Sequence, residues 1–201
     1  MEECRASIQR VLHMESDAVR ALADSLDYAA VSKVLSILCK VKGEGHKVIT
    51  AGCGTSGAAA KKIAHTLNVV EIPAFFCAPG DSIHGGMGAI QAGDVVILIS
   101  KGGNSDEILN YLPVCKAKGA KVIGVTENEQ SKLGKNCDIL LKVQVEREPD
   151  RWGYVATSST MAVIAVFDAI AITSIDYTGF SAKQFLLIHP GGAVGEKLAH
   201  Q

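Results

Sequence analysis

Near the start of the chain, apolar side chains recur every three or four positions between charged ones. This pattern predicts two helices, over roughly Glu3–Leu26 and Ala29–Val41. After KGEGH the period changes. Short apolar runs (KVITAG, AFFCA, DVVILIS, KVIGVT and DILLKV) alternate with helical stretches such as SGAAAKKIAHTLNV and SDEILNYLPVCKAKG. Continuous Val/Ile runs separated by helices mark a parallel sheet covered on both faces. The expected architecture is a three-layer α/β/α sandwich with a five-stranded parallel sheet and N-terminal helices. The tail differs: EREPDRWGYVATSST is polar and irregular, MAVIAVFDAIAITSI is an apolar helix, and SAKQFLLIHPGGAVGEKL follows. A helix apolar on nearly all sides calls for burial, within the domain or against another subunit, so an oligomer is expected.

The length of 201 residues suits one domain over 1–201, with helices over about 1–41, a sheet core over about 46–143 and C-terminal helices over about 157–201. Lys+Arg 20 against Asp+Glu 21 leaves the chain almost neutral, and aromatics are 5%. Neither a nucleic-acid nor an anionic-membrane partner is expected from that balance. The six cysteines are scattered without a C-x-x-C, which fits free thiols in a reducing compartment. The charged N-terminal helix is not a signal peptide, and the apolar run is short for a bilayer and carries Asp168. A cytoplasmic protein is expected.

Chemistry is concentrated where two apolar runs end. The first run leads into AGCGTSG (Ala51–Gly57), the third into SKGGNSDE (Ser100–Glu107). In a sheet of order 2-1-3-4-5 these strands are neighbours whose connections leave in opposite directions, and ligands bind in the crevice between their C-terminal ends. Both loops open helices, whose free N–H groups attract anions. Ser56, Ser100 and Ser105 can each donate to a phosphate oxygen. GCGTSG also fits the dinucleotide pattern G-x-G-x-x-G, but that pattern wants an acid at the end of the second strand. Glu71 falls before that strand and Asp81 well after it. A small phosphorylated ligand explains both loops; a dinucleotide explains only one.

GCGTSG, HGGMGAIQAGDVVILISKGGNSDEI, YVATSSTMAVIAVFDAIA and FLLIHPGGAVGEKL together resemble the sugar-isomerase (SIS) domain of arabinose 5-phosphate isomerases, from about Ala29 onward. The resemblance implies a flavodoxin-like parallel sheet and a homotetramer with active sites between subunits. It also implies interconversion of D-ribulose 5-phosphate and D-arabinose 5-phosphate, a step towards Kdo and lipopolysaccharide. Such isomerases often carry a pair of CBS regulatory domains. Here the sequence stops at KLAHQ, so a single-domain form is expected, with any feedback by a downstream sugar or nucleotide-sugar acting at the cleft.

Aldose–ketose isomerisation moves a proton between C1 and C2, opens the sugar ring and stabilises an oxyanion. No redox cofactor or metal is required. The matching positions are Glu148 as base, Glu107 as the second carboxylate and His189 for ring opening. Read without the resemblance, Glu148 is a solvated loop acid and Glu107 a first-turn partner of a helix dipole. Thr55, Ser56, Ser100, Lys101, Gly103 and Ser105 would line the phosphate site, with His84 and Ser159 facing the sugar. Thr157, Ser158, Ser159 and Thr160 also suit caps for the apolar helix. Cys53 reads as a small buried thiol rather than a nucleophile.

Two departures stand out. The family places lysine before the loop serine, where this chain has Thr55, and the second loop reads SKGGNS in place of S-x-S-G-E-S. Lys101 is therefore expected to supply the missing positive charge from the other side of the crevice. Another SIS phosphosugar isomerase, or a non-catalytic phosphosugar sensor, is the alternative.

Overall fold

The computed structural model describes residues 2–189. Helices α1 (Glu2–Ser25) and α2 (Tyr28–Val41) come first, as the spacing predicts. Asp27 starts α2 by accepting from the Ala29 and Ala30 N–H groups at 2.9 and 3.2 Å. Ala30, Val34, Leu38 and Val41 fall three or four apart and form its buried stripe. The five apolar runs are strands β1 (Val48–Gly52), β2 (Ala74–Phe76), β3 (Val95–Ile99), β4 (Lys121–Thr126) and β5 (Ile139–Lys142). They form one parallel sheet in the order β2-β1-β3-β4-β5, with Val48 beside both Ala74 and Val95. A dinucleotide fold has a different strand order, and Cys77, not an acid, follows β2.

Successive strand residues point to opposite faces, and both faces are covered. Val48, Val95, Ile97 and Ile99 pack with Leu38 of α2 and Ile63 and Leu67 of α3 (Gly54–Val69). Ile49, Ala51, Val96 and Leu98 pack on the other side with Ile108, Tyr111 and Cys115. This is the expected three-layer α/β/α arrangement.

The remaining helices are α4 (Pro79–Ser82), α5 (Asp106–Leu109), α6 (Tyr111–Lys118), α7 (Lys132–Asn136), α8 (Ser158–Thr178) and α9 (Ala182–Ile188). The single helix expected across SDEILNYLPVCKAKG is two, broken at Asn110. Pro113 explains the break, because its ring collides with the carbonyl four residues earlier, that of Leu109. The apolar C-terminal helix is also longer than its apolar run. At 21 residues, α8 is long and apolar enough to cross a membrane by length and composition. Instead it lies on the protein: Ala162, Val166, Phe167, Ile170 and Ala171 join the core beside Leu22, Val34 and Leu38. Asp168 pairs with Lys62 of α3. Met161 and Ile172 remain exposed on its outer face, so burial within one copy is incomplete.

Candidate active site

The first loop is a turn from strand to helix in a single residue, Cys53. Such a turn requires backbone to touch backbone. A Cβ on Gly52 would lie 2.5 Å from the Ser56 carbonyl oxygen, and one on Gly57 would lie 2.6 Å from that of Gly52. Only glycine fits at both places. The result sets Thr55 and Ser56 in the first turn of α3, where amide N–H groups have no partner within the helix.

The second loop closes on itself. Gly103, at φ 69°, donates its N–H to the Ser100 carbonyl at 3.0 Å and to Ser100 Oγ at 3.2 Å. Ser100 Oγ then sits 3.0 Å from Ser105 Oγ. The loop is tied to α7, since Leu133 N–H donates to the Gly103 carbonyl and Lys132 N–H to Asn104 Oδ1, both at 3.0 Å. β1 and β3 are adjacent, so the two serine-bearing loops flank one crevice, as expected.

The third component comes from the polar stretch before α8. Asp150 organises it: one carboxylate oxygen accepts from Trp152 and Gly153 N–H, the other from Tyr154 and Val155 N–H, at 2.9–3.0 Å. This knot folds the chain back so that Glu148 meets the start of α8. Glu148 Oε2 accepts from Thr157 N–H at 3.0 Å and Ser159 N–H at 3.4 Å. Oε1 accepts from Ser159 Oγ and, at 2.8 Å, from Lys101 Nζ. Glu148 is 1% exposed. Burial pushes its carboxyl pKa up, but the bonds from Lys101, Ser159 and Thr157 outweigh burial and hold it below the ordinary value.

This overturns two readings of the residues alone. Glu148 is not a solvated loop acid. Nor do the Thr157–Thr160 hydroxyls cap α8 at its first residue: Thr157 makes no side-chain capping bond, and the Glu148 carboxylate takes the free N–H groups instead. A carboxylate at a helix N-terminus gains from the dipole as well as the bonds. Among the described residues, the Thr157 and Ser158 hydroxyls are buried without a hydrogen-bond partner.

These parts enclose a cleft of about 50 Å³ whose lining includes Thr55, Ser56, Lys101, Glu127, Ser159 and Thr160. Of the expected site residues, Thr55, Ser56, Lys101 and Ser159 line it, and Glu148 lies against Lys101 and Ser159. Ser100, Gly103 and Ser105 form the adjoining loop. Glu107 stands exposed in the first turn of α5. Burial, and then the charge of Glu107, push the Cys53 thiol pKa up, which fits a thiol that is not a nucleophile.

The two histidines are not brought into this cleft within one copy. His84 is exposed after α4. His189 follows α9, stacked on Phe185 at 3.9 Å between ring centroids, with Nδ1 3.1 Å from the Phe185 carbonyl. The Pro-Gly-Gly sequence after it lies outside the described residues. Lys101, expected to be offered to a phosphate, is bonded to Glu148. Sequence reasoning missed Thr126 and Glu127, which also line the cleft. They lie at the end of β4, the strand next to β3, and the rule that ligands gather at strand C-termini could have found them.

A family model for the SIS domain matches residues 44–173. The chain belongs to the SIS-domain family. Two curated SIS relatives are named arabinose 5-phosphate isomerases. KpsF of Escherichia coli is 36% identical over 192 residues, covering 96% of this chain and 58% of that protein. KdsD of Pseudomonas aeruginosa is 38% identical over the same length, with the same coverage. The chain thus spans little more than half the length of these relatives. Among solved SIS structures, a candidate sugar-phosphate isomerase of Listeria monocytogenes matches with a TM-score of 0.92 and 43% identity, covering 94% of this chain and 98% of that one. An Escherichia coli protein in complex with arabinose 5-phosphate matches with a TM-score of 0.88 and 32% identity at the same coverage.

Proposed function

We propose that the protein is an aldose–ketose isomerase interconverting D-ribulose 5-phosphate and D-arabinose 5-phosphate, a reaction feeding Kdo and lipopolysaccharide synthesis. The observation that carries this reading is the buried Glu148 carboxylate, held beside a crevice flanked by two serine-bearing loops. The loops suit a phosphate dianion, and the carboxylate suits a proton moving between neighbouring carbons. Relatedness to proteins named for this activity, and to one in complex with arabinose 5-phosphate, supports the choice of sugar.

In this mechanism Thr55, Ser56, Ser100, Gly103 and Ser105 hold the phosphate with hydroxyl and amide donors. Glu148 carries the proton between C1 and C2, with Glu107 as the second carboxylate. Ser159 orients Glu148 and meets the sugar. His189 opens the ring and His84 lines the pocket, each reaching a neighbouring subunit's cleft; this requires an oligomer, and the family resemblance makes it a homotetramer. The surface supports assembly: Ile8 and Leu12 on α1, Met161 and Ile172 on α8, and Leu187 on α9 are all exposed apolar side chains. Sedimentation equilibrium should return four copies; a monomer at assay concentration contradicts the shared site. The free thiols fit an enzyme of the reducing cytoplasm. Feedback by a downstream sugar or nucleotide-sugar would act at the same cleft.

The lysine missing at Thr55 and the pairing of Lys101 with Glu148 favour a second reading, a sensor that binds a phosphosugar without turning it over. Solvent deuterium separates the two. Incubated with ribulose 5-phosphate in heavy water, the enzyme yields arabinose 5-phosphate labelled at C2. A sensor binds without product or label, and that result would reject catalysis.

A further inference from the structure

Among the described residues, Lys101 is the only basic side chain lining the cleft. Its carbonyl is pinned by Thr126 Oγ1 at 2.7 Å and Glu127 N–H at 3.1 Å, so its movement is confined to the side chain. That side chain is 39% exposed, while the Glu148 side chain it grips is fully enclosed. The ammonium therefore stands between a hidden carboxylate and an open cleft bordered by the hydroxyl-bearing turns. A phosphate dianion bound to those turns carries more charge than one carboxylate and competes for the same cation.

We propose that Lys101 serves two anions in turn: it grips Glu148 in the structure described here and swings to the substrate's phosphate on binding, which leaves Glu148 able to accept a proton. The inference deepens the isomerase reading and rests on the serine turns holding a dianion. A carboxylate with four donors is a poor base because its lone pairs are engaged and its charge is neutralised. Once Lys101 departs, Glu148 retains the Thr157 and Ser159 N–H groups and the Ser159 hydroxyl, which keep it in place while its proton affinity rises. The other charged groups nearby do not substitute for Lys101. Glu127 lines the same cleft with like charge. Arg10 of α1 is engaged with the Pro149 carbonyl at 2.9 Å, and Asp150 is saturated by its own loop. Binding at one end of the sugar thereby activates the base at the other. The family's lysine, at the position of Thr55, is replaced here by a cation on the opposite loop that already holds the base.

The test is an NMR titration of the full chain carrying carboxyl-13C glutamate, with the Glu148 signal assigned by its loss in Glu148→Gln. Sulfate is the probe, because it keeps its double charge in acid where phosphate does not; chloride of equal ionic strength is the control. Sulfate should shift the Gly103 and Ser105 amides and raise the Glu148 midpoint by about one to three pH units. Lys101→Met should show the raised midpoint with no sulfate added, and sulfate should move it no further. Sulfate that shifts the amides but leaves the midpoint unmoved overturns the exchange and leaves the dianion cradle standing. Sulfate that shifts neither overturns the cradle, and the exchange with it.

Discussion

If the proposed isomerase reading holds, Glu148→Gln should lower kcat for the interconversion of ribulose and arabinose 5-phosphates by about 10²–10⁴-fold, the range for loss of a positioned acid–base group. The replacement is nearly isosteric, and its amide oxygen can still accept the Thr157 and Ser159 N–H groups that organise the start of α8. What it cannot do is carry a proton. KM should change much less than kcat, because the proposed phosphate contacts lie on the other two loops. Glu107→Gln, measured in parallel, decides between the carboxylates: Glu107 is exposed, and its variant keeps the buried one intact. If neither substitution reduces turnover, both assignments fail. The same carboxyl group gives the fold a pH signature. Its folded pKa lies below the ordinary 4.5, so the unfolded chain takes up the proton first as pH falls. The stability it contributes is complete above the unfolded value and is lost as pH falls through the folded one. Glu148→Gln removes that part of the acid sensitivity.

Gly57→Ala should destabilise the fold by about 1–3 kcal/mol, the usual cost of forcing an extra carbon into a packed site. For a chain of this size each kcal/mol lowers Tm by about 2–4 °C. The added Cβ meets the Gly52 carbonyl oxygen at 2.6 Å, and that oxygen belongs to the last residue of a buried strand rather than to a side chain that could turn away. Relief requires α3 to move off β1, which displaces Thr55 and Ser56 and should weaken the proposed phosphate binding along with stability. Gly102→Ala is the comparison. A Cβ there has no neighbour within 4 Å, and the change should stay within about 0.5 kcal/mol. A Gly57→Ala protein that melts with the parent would show that strand and helix do not need this close approach.

The strands, the N-terminal helices and the two serine loops were legible because each depends on local period or turn chemistry; the strand order, a matter of tertiary pairing, came from the family resemblance. β1 and β3 read as continuous apolar runs because both faces of the sheet are covered. The environment of Glu148 was not legible. It depends on Asp150 gathering four amides over the next residues, and on an ion pair with Lys101 across 47 positions, which no periodicity announces. Hydroxyl-rich Thr157–Thr160 looked like a cap, but a carboxylate from outside the helix took that place. The break at Asn110 could have been anticipated from Pro113. The histidines were picked out by the family resemblance alone, and in one copy neither His84 nor His189 lines the cleft.

The packing of α8 against α1 and α2 has a consequence for how the protein is made. Leu22, Val34 and Leu38 leave the ribosome more than a hundred residues ahead of Ala162, Phe167 and Ile170, which cover them. Until α8 has been made, the nascent chain therefore carries an unmatched apolar surface on α1 and α2. Exposed apolar surface of that kind favours aggregation, so added chaperone during that interval should raise recombinant yield.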